Sequence, residues 1–367
     1  PSSRAGRASA SSPARDDGEK HRENLAKGSG KGVDADSAAA IAKLTTNPNR
    51  ECTEGLSASG EPCSSGPLIS SIKEFIAQVP PPGARGPGVP DPSDGLLPSS
   101  DSERAKIVRE AARRLGCPTE SCVITNPKFR KWVSTKDSSL AELGGVRRLD
   151  SEIERRFKAV GPRDTTQLLS NFNIDRVLQE WAAAHPGFYN FGFNMMDFET
   201  TGGSLARTDV SRILEGKASQ DLGKMGGTVE RPCTTFACVL NTDVSSGGGK
   251  HWVAVFGDCR GPGEWSIEYF NSAGNPPPAP VTRWLEETVA RLVAFRASHP
   301  REYGRGGVVS APISDVRHQS SQTECGLYAL YYIRRRLEGA PYAEFWQTHI
   351  PDAAMIIFRT HVFRPGA

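Results

Sequence analysis

A chain of 367 residues with 45 Lys and Arg against 42 Asp and Glu has a net charge of +3, too small by itself to mark a nucleic-acid or membrane-surface binder. No run approaches membrane-spanning length, and the N-terminus lacks the apolar core of a signal peptide. Eight cysteines in a chain this long imply no disulfide framework. Residues 1–66 are rich in Ser, Ala, Gly and interspersed charge and contain no Phe, Trp or Tyr. Such a segment cannot bury enough apolar surface to offset its ordering entropy, so it reads as a disordered tail. Arg4, Arg7, Arg15, Lys20 and Arg22 alternate with acids, as in a solvated tail rather than a nucleic-acid arm, and Cys52 and Cys63 read as free thiols.

Residues 67–100 read as a short amphipathic helix followed by a Pro/Gly linker. Ile69, Ile72, Phe75, Ile76 and Val79 recur at helical spacing before a proline run. An isolated helix of that length is marginal in water, so it is expected to dock on the chain's own main domain. Residues 101–163 predict a helical subdomain: SERAKIVREAARRLG (102–116) starts like a capping box and stops at Gly116, and 138–162 holds two pieces broken at Gly144–Gly145. Cys117 and Cys122, like Cys233 and Cys238, are separated by four residues. That gap is longer than usual for structural zinc, so buried thiols are expected rather than a four-cysteine site.

Residues 164–367 predict an α+β core. SNFNIDRVLQEW starts a helix at Ser170, with Ile174, Val177, Leu178 and Trp181 on one face. Residues 187–198 form a β-rich buried stretch, 201–216 include a short helix, and 217–231 are a polar loop expected to border a cleft. Phe236–Leu240, Trp252–Phe256 and Trp265–Phe270 read as strands. A proline-rich turn then leads into a helix with Trp284, Leu285, Val289, Leu292 and Phe295 buried. The strand VVSAP (308–312) and a final helical element within 343–363 complete the core.

One stretch carries chemistry. In ISDVRHQSSQTECGLYALYYIRRRL a helix begins at Cys325–Gly326 and closes on Arg334, Arg335 and Arg336. A thiol in a first helical turn sits at the positive end of the dipole, where its pKa is expected to fall. His251 stands at the start of the second strand and Asn271 just past the third. A general base needs an orienting partner, and adjacent strands can bring these two together before the Cys325 helix end. Gln319 can offer a side-chain N–H to an oxyanion beside the Cys325 amide, with Gln322 the alternative. His318 is too close to Cys325 in sequence to be held independently as the base. Asp243 and Asp258 are alternative orienting groups, but an extended strand carries Asp258 about 23 Å from His251 at ~3.3 Å per residue. A nucleophilic thiol requires a reducing compartment, and this chemistry calls for neither a metal nor an organic cofactor.

HWVAVF, EYFNSAGN and QSSQTECGLYAL resemble the His, Asn/Asp and Gln…Cys boxes of the ubiquitin-like-protein cysteine proteases, which include SUMO proteases and the adenovirus protease. VLNTD before GGGKHW, Asn rather than Asp, TECGLYAL, SNFNIDRVLQEW and IPDAAMIIFRTHVF are most similar to the virion-maturation thiol proteases of large DNA viruses. The resemblance spans roughly 165–363, with a weaker echo at 115–124 and none in residues 1–100. It implies a papain-like α+β fold of the SUMO-protease type: a central mixed sheet flanked by helices, with a helical N-terminal subdomain. It also implies a cysteine endopeptidase with Cys325, His251, Asn271 and Gln319 as its catalytic set and Trp252 roofing the substrate cleft. Expected partners are polypeptides, either viral structural precursors cut after Gly-Gly at an assembly site or a ubiquitin-like modifier removed by the same chemistry. A catalytically silent binding module of the same fold is the remaining alternative, and the intact residue set argues against it.

Overall fold

In TFACVLN, WVAVFGD and WSIEYF side chains alternate between two faces, and both faces are apolar. Ala237, Val239, Ala254, Phe256 and Phe270 enter one core, while Phe236, Cys238, Leu240, Val253, Val255, Ile267 and Tyr269 enter the other. A sheet buried on both sides needs helices on both sides. The computed structural model, which describes residues 51–54, 56, 60–80, 96–136, 145–162, 164 and 166–364, supplies them. Strands β1 (Phe188–Met195), β2 (Ser219–Asp221), β3 (Thr228–Glu230), β4 (Thr235–Asn241), β5 (Trp252–Asp258), β6 (Trp265–Phe270) and β7 (Val308–Ile313) form two sheets. The main one runs β1-β4-β5-β6-β7, parallel at its two outer pairs and antiparallel at its two inner pairs. The expected mixed sheet of an α+β fold is therefore present.

The longer helices among the described residues are α1 (Gly66–Gln78), α2 (Glu103–Leu115), α3 (Glu120–Thr125), α4 (Pro127–Thr135) and α5 (Gly145–Arg156), which build a separate core, and α6 (Asn171–Ala184), α7 (Ala279–Ser298), α8 (Cys325–Leu337) and α9 (Asp352–Val362), which pack on the sheet. Helices α6, α8 and α9 cover the face bearing Ala254 and Phe270. Helix α7 and the short turns within 198–214 cover the opposite face. Ser170 caps α6 through a capping box with Asn173, and Ser102 caps α2, which stops at left-handed Gly116. The polar loop 217–231 folds into the β2–β3 hairpin. Among the described residues no helix is long and apolar enough to cross a membrane.

The N-terminal part departs from the sequence reading in four places. Helix α1 docks on the helical unit rather than on the sheet domain, with Phe75 edge-on to Phe129 of α4 at 5.2 Å between centroids. The described residues of 51–66 are part of the fold and not of a tail; residues 1–50 lie outside the described set. Cys52 and Cys63 are buried and disulfide-bonded to each other, as are Cys117 and Cys122, so neither pair consists of thiols. Local composition hid this, because the buried partners of 51–64 come from far along the chain. Glu51 accepts from the Ser121 N–H at 2.9 Å, and Glu120 accepts from Cys63 and Ser64 N–H at 3.0 and 2.8 Å. Cys233 and Cys238 lie in the sheet domain as buried thiols. Among the described residues no group of three or more His, Cys, Asp or Glu is placed to hold a metal. Of 138–162, residues 138–144 lie outside the described set and the second piece forms α5. Most of the Pro/Gly linker (81–95) is likewise outside it, whereas Leu97 is buried and Ser99 and Ser100 N–H both bond the Gly60 carbonyl.

Candidate active site

The central strands place the polar residues. His251 directly precedes β5 and Asn271 directly follows β6, its antiparallel neighbour, so the pairing brings the two side chains to one sheet end. His251 Nε2 lies 2.8 Å from Asn271 Oδ1. That oxygen also accepts the Ala273 N–H at 2.9 Å, while Asn271 Nδ2 donates to the Tyr269 hydroxyl at 3.1 Å. The amide orientation is thus fixed from both ends, and an oxygen facing Nε2 requires Nε2 to carry the proton. His251 Nδ1 is left as the basic nitrogen.

Cys325 opens α8 with its side chain 3% exposed. The backbone of Trp252, the residue after His251, hydrogen-bonds to the Cys325 sulfur, as does that of Gly326, and a Cβ at Gly326 would lie 3.3 Å from the Trp252 ring. Burial pushes this thiol above its ordinary pKa despite those two N–H groups, and Glu324 adds a smaller push upward. The expected fall at a helix start is therefore overturned: desolvation outweighs the dipole. A neutral buried thiol needs a base to become a nucleophile. It follows that in a His251→Ala variant the alkylation rate of Cys325 should rise only above the ordinary thiol range as pH increases. A midpoint below that range, followed by iodoacetamide trapping, would contradict the burial argument.

Gln319 is buried in the loop that enters α8. Its backbone N–H donates to the Ser272 carbonyl at 2.9 Å, and its Oε1 accepts the Ser272 hydroxyl at 2.8 Å. Ser272 follows Asn271 in sequence, so the orienting amide and the Gln319 loop share one anchor. Gln319 Nε2 donates to the Ser321 carbonyl at 2.9 Å, which uses one of its two hydrogens. Gln322 is exposed. His318 packs between Phe270 and Tyr328, with Nδ1 accepting the Ile350 N–H at 3.2 Å, and burial holds its pKa down at about 4. Asp243 holds the glycine loop, accepting from Val244 and Gly249 N–H and from Lys250 Nζ at 3.0 Å. Asp258 pairs with Arg260 and Arg336 at the far end of β5. Neither aspartate is the group bonded to His251. Arg283 pairs with Glu199 at 2.6 Å, away from the thiol's neighbours.

A cleft of about 880 Å³ opens onto Cys325. Trp252 lines it, 8% exposed, its Nε1 donating to the Leu169 carbonyl at 3.1 Å and its ring edge-on to Phe193. Gly192, Gly203 and Gly247–Gly249 line it together with larger side chains that include Leu169, Phe193, Met195 and Arg207. Gly192 has φ +73° at the bulge in β1, and a Cβ there would lie 3.2 Å from Asp175 Oδ1. Residues 217–231 do not line this cleft, so the expected loop border is instead the glycine loop before His251. The sequence reading missed Tyr269 and Ser272, which flank Asn271 and lock the two amides. Their position beside a singled-out Asn was the available signal.

Comparison with known proteins gives three findings. Residues 238–365 match the Ulp1 protease family, C-terminal catalytic domain. A cysteine protease of African swine fever virus is 47% identical over 250 residues, covering 68% of this chain and 84% of its own; a counterpart from another isolate, named a SUMO-1 cysteine protease, matches to the same extent. A crystal structure of the African swine fever virus protease agrees with a TM-score of 0.68 at 38% identity, covering 89% of this chain and 99% of that one.

Proposed function

The chain belongs to the Ulp1 family of cysteine proteases, and from that premise we propose Cys325 as its nucleophile and His251 as its general base. The observation that carries this reading is the fixed His251–Asn271 pair one residue from the N–H that meets the Cys325 sulfur. His251 Nδ1 takes the thiol proton as sulfur bonds to the scissile carbonyl carbon. The C–N bond then breaks, and the leaving amine takes the proton from the imidazolium. Water, deprotonated by the same nitrogen, hydrolyses the thioester and restores the thiol. Asn271 holds the ring in the reactive tautomer, and the Cys325 N–H with the second Gln319 amide hydrogen receives the oxyanion.

The substrates we infer are polypeptides cut after small residues of the Gly-Gly-X type, with viral structural precursors the class implied. A cleft walled by Gly192, Gly203 and Gly247–Gly249 under Trp252 supports passage of a slender backbone. Removal of a ubiquitin-like modifier is the second reading, favoured by the name of one relative as a SUMO-1 protease. A Gly-Gly-X peptide panel beside a ubiquitin-like vinyl-sulfone probe tests both. Fast peptide cleavage without probe labelling supports precursor processing, and the reverse supports deconjugation. Absence of both reactions would overturn the enzymatic assignment of the cleft.

The oxyanion assignment has its own test. Gln319→Ala is expected to lower kcat on the order of a hundredfold with little change in KM, and exposed Gln322→Ala to act weakly. The reverse ranking on one peptide would move the oxyanion donor to Gln322.

A further inference from the structure

We propose that Asp352 is a positioning residue for the oxyanion donor, a role that rests on the reading of Gln319 above. Asp352 is the first residue of α9, 33 positions after Gln319 in the sequence, yet its carboxylate reaches back over the loop that enters α8. Oδ2 accepts the Ser321 N–H at 2.9 Å and the Ser320 N–H at 3.2 Å, and Oδ1 accepts the Tyr328 hydroxyl at 3.0 Å. Ser321 is also the residue whose carbonyl takes the Gln319 amide hydrogen. The chain of contacts therefore runs from Asp352 through the Ser321 peptide to the Gln319 side chain, with Ser272 holding the same amide from the other end.

A glutamine side chain is otherwise free about several torsions, and an oxyanion donor contributes only when held within about 3 Å of the developing charge. Charge-assisted acceptance of two consecutive N–H groups is the kind of contact that fixes such a loop. The other partners of Asp352 reinforce the assignment. Tyr328 lies one turn into the nucleophile helix, and its single hydroxyl hydrogen is shared between Asp352 Oδ1 and the Ile350 carbonyl, 2.9 Å away. Asp352 thus joins α9, the oxyanion loop and α8 at one point, without touching the thiol or the imidazole.

The test compares Asp352→Ala, Asp352→Asn, Gln319→Ala and the Asp352→Ala/Gln319→Ala double variant on one peptide. A second readout is the rate at which iodoacetamide alkylates Cys325, a reaction that forms the S–C bond with loss of iodide and uses no oxyanion hole. Asp352→Ala should lower kcat by about tenfold, leave KM and the alkylation rate within about twofold, and add little in the double variant. Asp352→Asn, which keeps one acceptor oxygen, should fall between wild type and Ala. Alkylation slowing in step with kcat would overturn the proposal, as would full additivity in the double variant. Wild-type kcat in Asp352→Ala, with Gln319→Ala impaired, would overturn it and leave the oxyanion reading standing. If the Ala variant does not fold, wild-type kcat in Asp352→Asn has that same consequence. Wild-type kcat in Gln319→Ala would overturn the oxyanion reading and this proposal with it.

Discussion

Cys325→Ser and His251→Ala are each expected to lower peptide turnover on the order of 10⁴-fold or more while leaving the melting temperature nearly unchanged. The reason lies in the resting state of the thiol. Burial raises the pKa of the Cys325 thiol, so on the proposed assignment sulfur would gain its nucleophilicity as His251 Nδ1 removes the proton. A serine hydroxyl in the same place is far less acidic, and an alanine at 251 leaves no base within reach. Groups that act on one proton fail as a unit, so the double variant should be no slower than either single one. Neither substitution removes a buried hydrocarbon anchor of the sheet, which is why folding should survive. Turnover within tenfold of wild type in either variant would remove the dyad from the mechanism. Asn271→Ala should be milder than both, because it costs the ring its orientation but not its proton-accepting nitrogen.

A variant that begins at Pro67 is expected to lose both its cooperative melting transition and its activity, whereas one beginning at Arg50 should retain them. Residues 51–64 supply partners to buried charges elsewhere. Without them Glu120 loses two backbone N–H donors, and Glu180 loses the Glu54 N–H bonded at 3.1 Å. Arg334, whose side chain is 13% exposed, loses its ion pair with Glu54. Stranding a buried charge costs about 3–5 kcal/mol where burial is complete. Glu54 is partly exposed, so Glu54→Ala alone should cost about 2 kcal/mol. Burial by itself would raise the Glu54 carboxyl, but the His185 hydrogen bond and the Arg334 charge hold it at about 2. A depressed carboxylate contributes its stability above the ordinary range and loses it as pH falls toward 2. The wild-type and Glu54→Ala melting curves should therefore differ at pH 7 and converge near pH 2. A Pro67 variant that melts and cleaves like the full chain would show that residues 51–64 do not hold the fold together.

Short apolar runs rich in Val, Ile, Phe, Trp and Tyr made β4, β5 and β6 readable, and capping residues marked α2 and α6, because those signals lie within a dozen residues. The same holds for His251 and Asn271, whose adjacency follows from two neighbouring strands. What the sequence withheld depends on long separations. Glu51, Cys52 and Thr53 lie in a composition typical of tails, and it is Ser121, Phe157, Lys158 and Arg156, far along the chain, that pair with them. Helices α3 and α4 are not legible in the sequence because six and nine residues carry little periodicity, and Asn126 serves as the end of one and the cap of the other. The pKa of Cys325 was misjudged for a related reason. A helix start is visible in sequence, but the degree of desolvation around it is a property of the packed core.

The Glu54–Arg334 pair has a consequence for when the helix that carries Cys325 is anchored. Its partners are 280 residues apart, and the last described residue, Arg364, donates its backbone N–H to Ala159. At about 5–20 residues per second, a ribosome needs many seconds to synthesise the stretch from Glu54 to Arg334. Throughout that interval residues 51–54 can dock on Ser121, Arg156 and Glu180, but Glu54 has no Arg334 to pair with and the helix that carries Cys325 does not yet exist. The helix that carries Cys325 therefore gains its Glu54 anchor only after residue 334 has been made, late in the synthesis of the residues described.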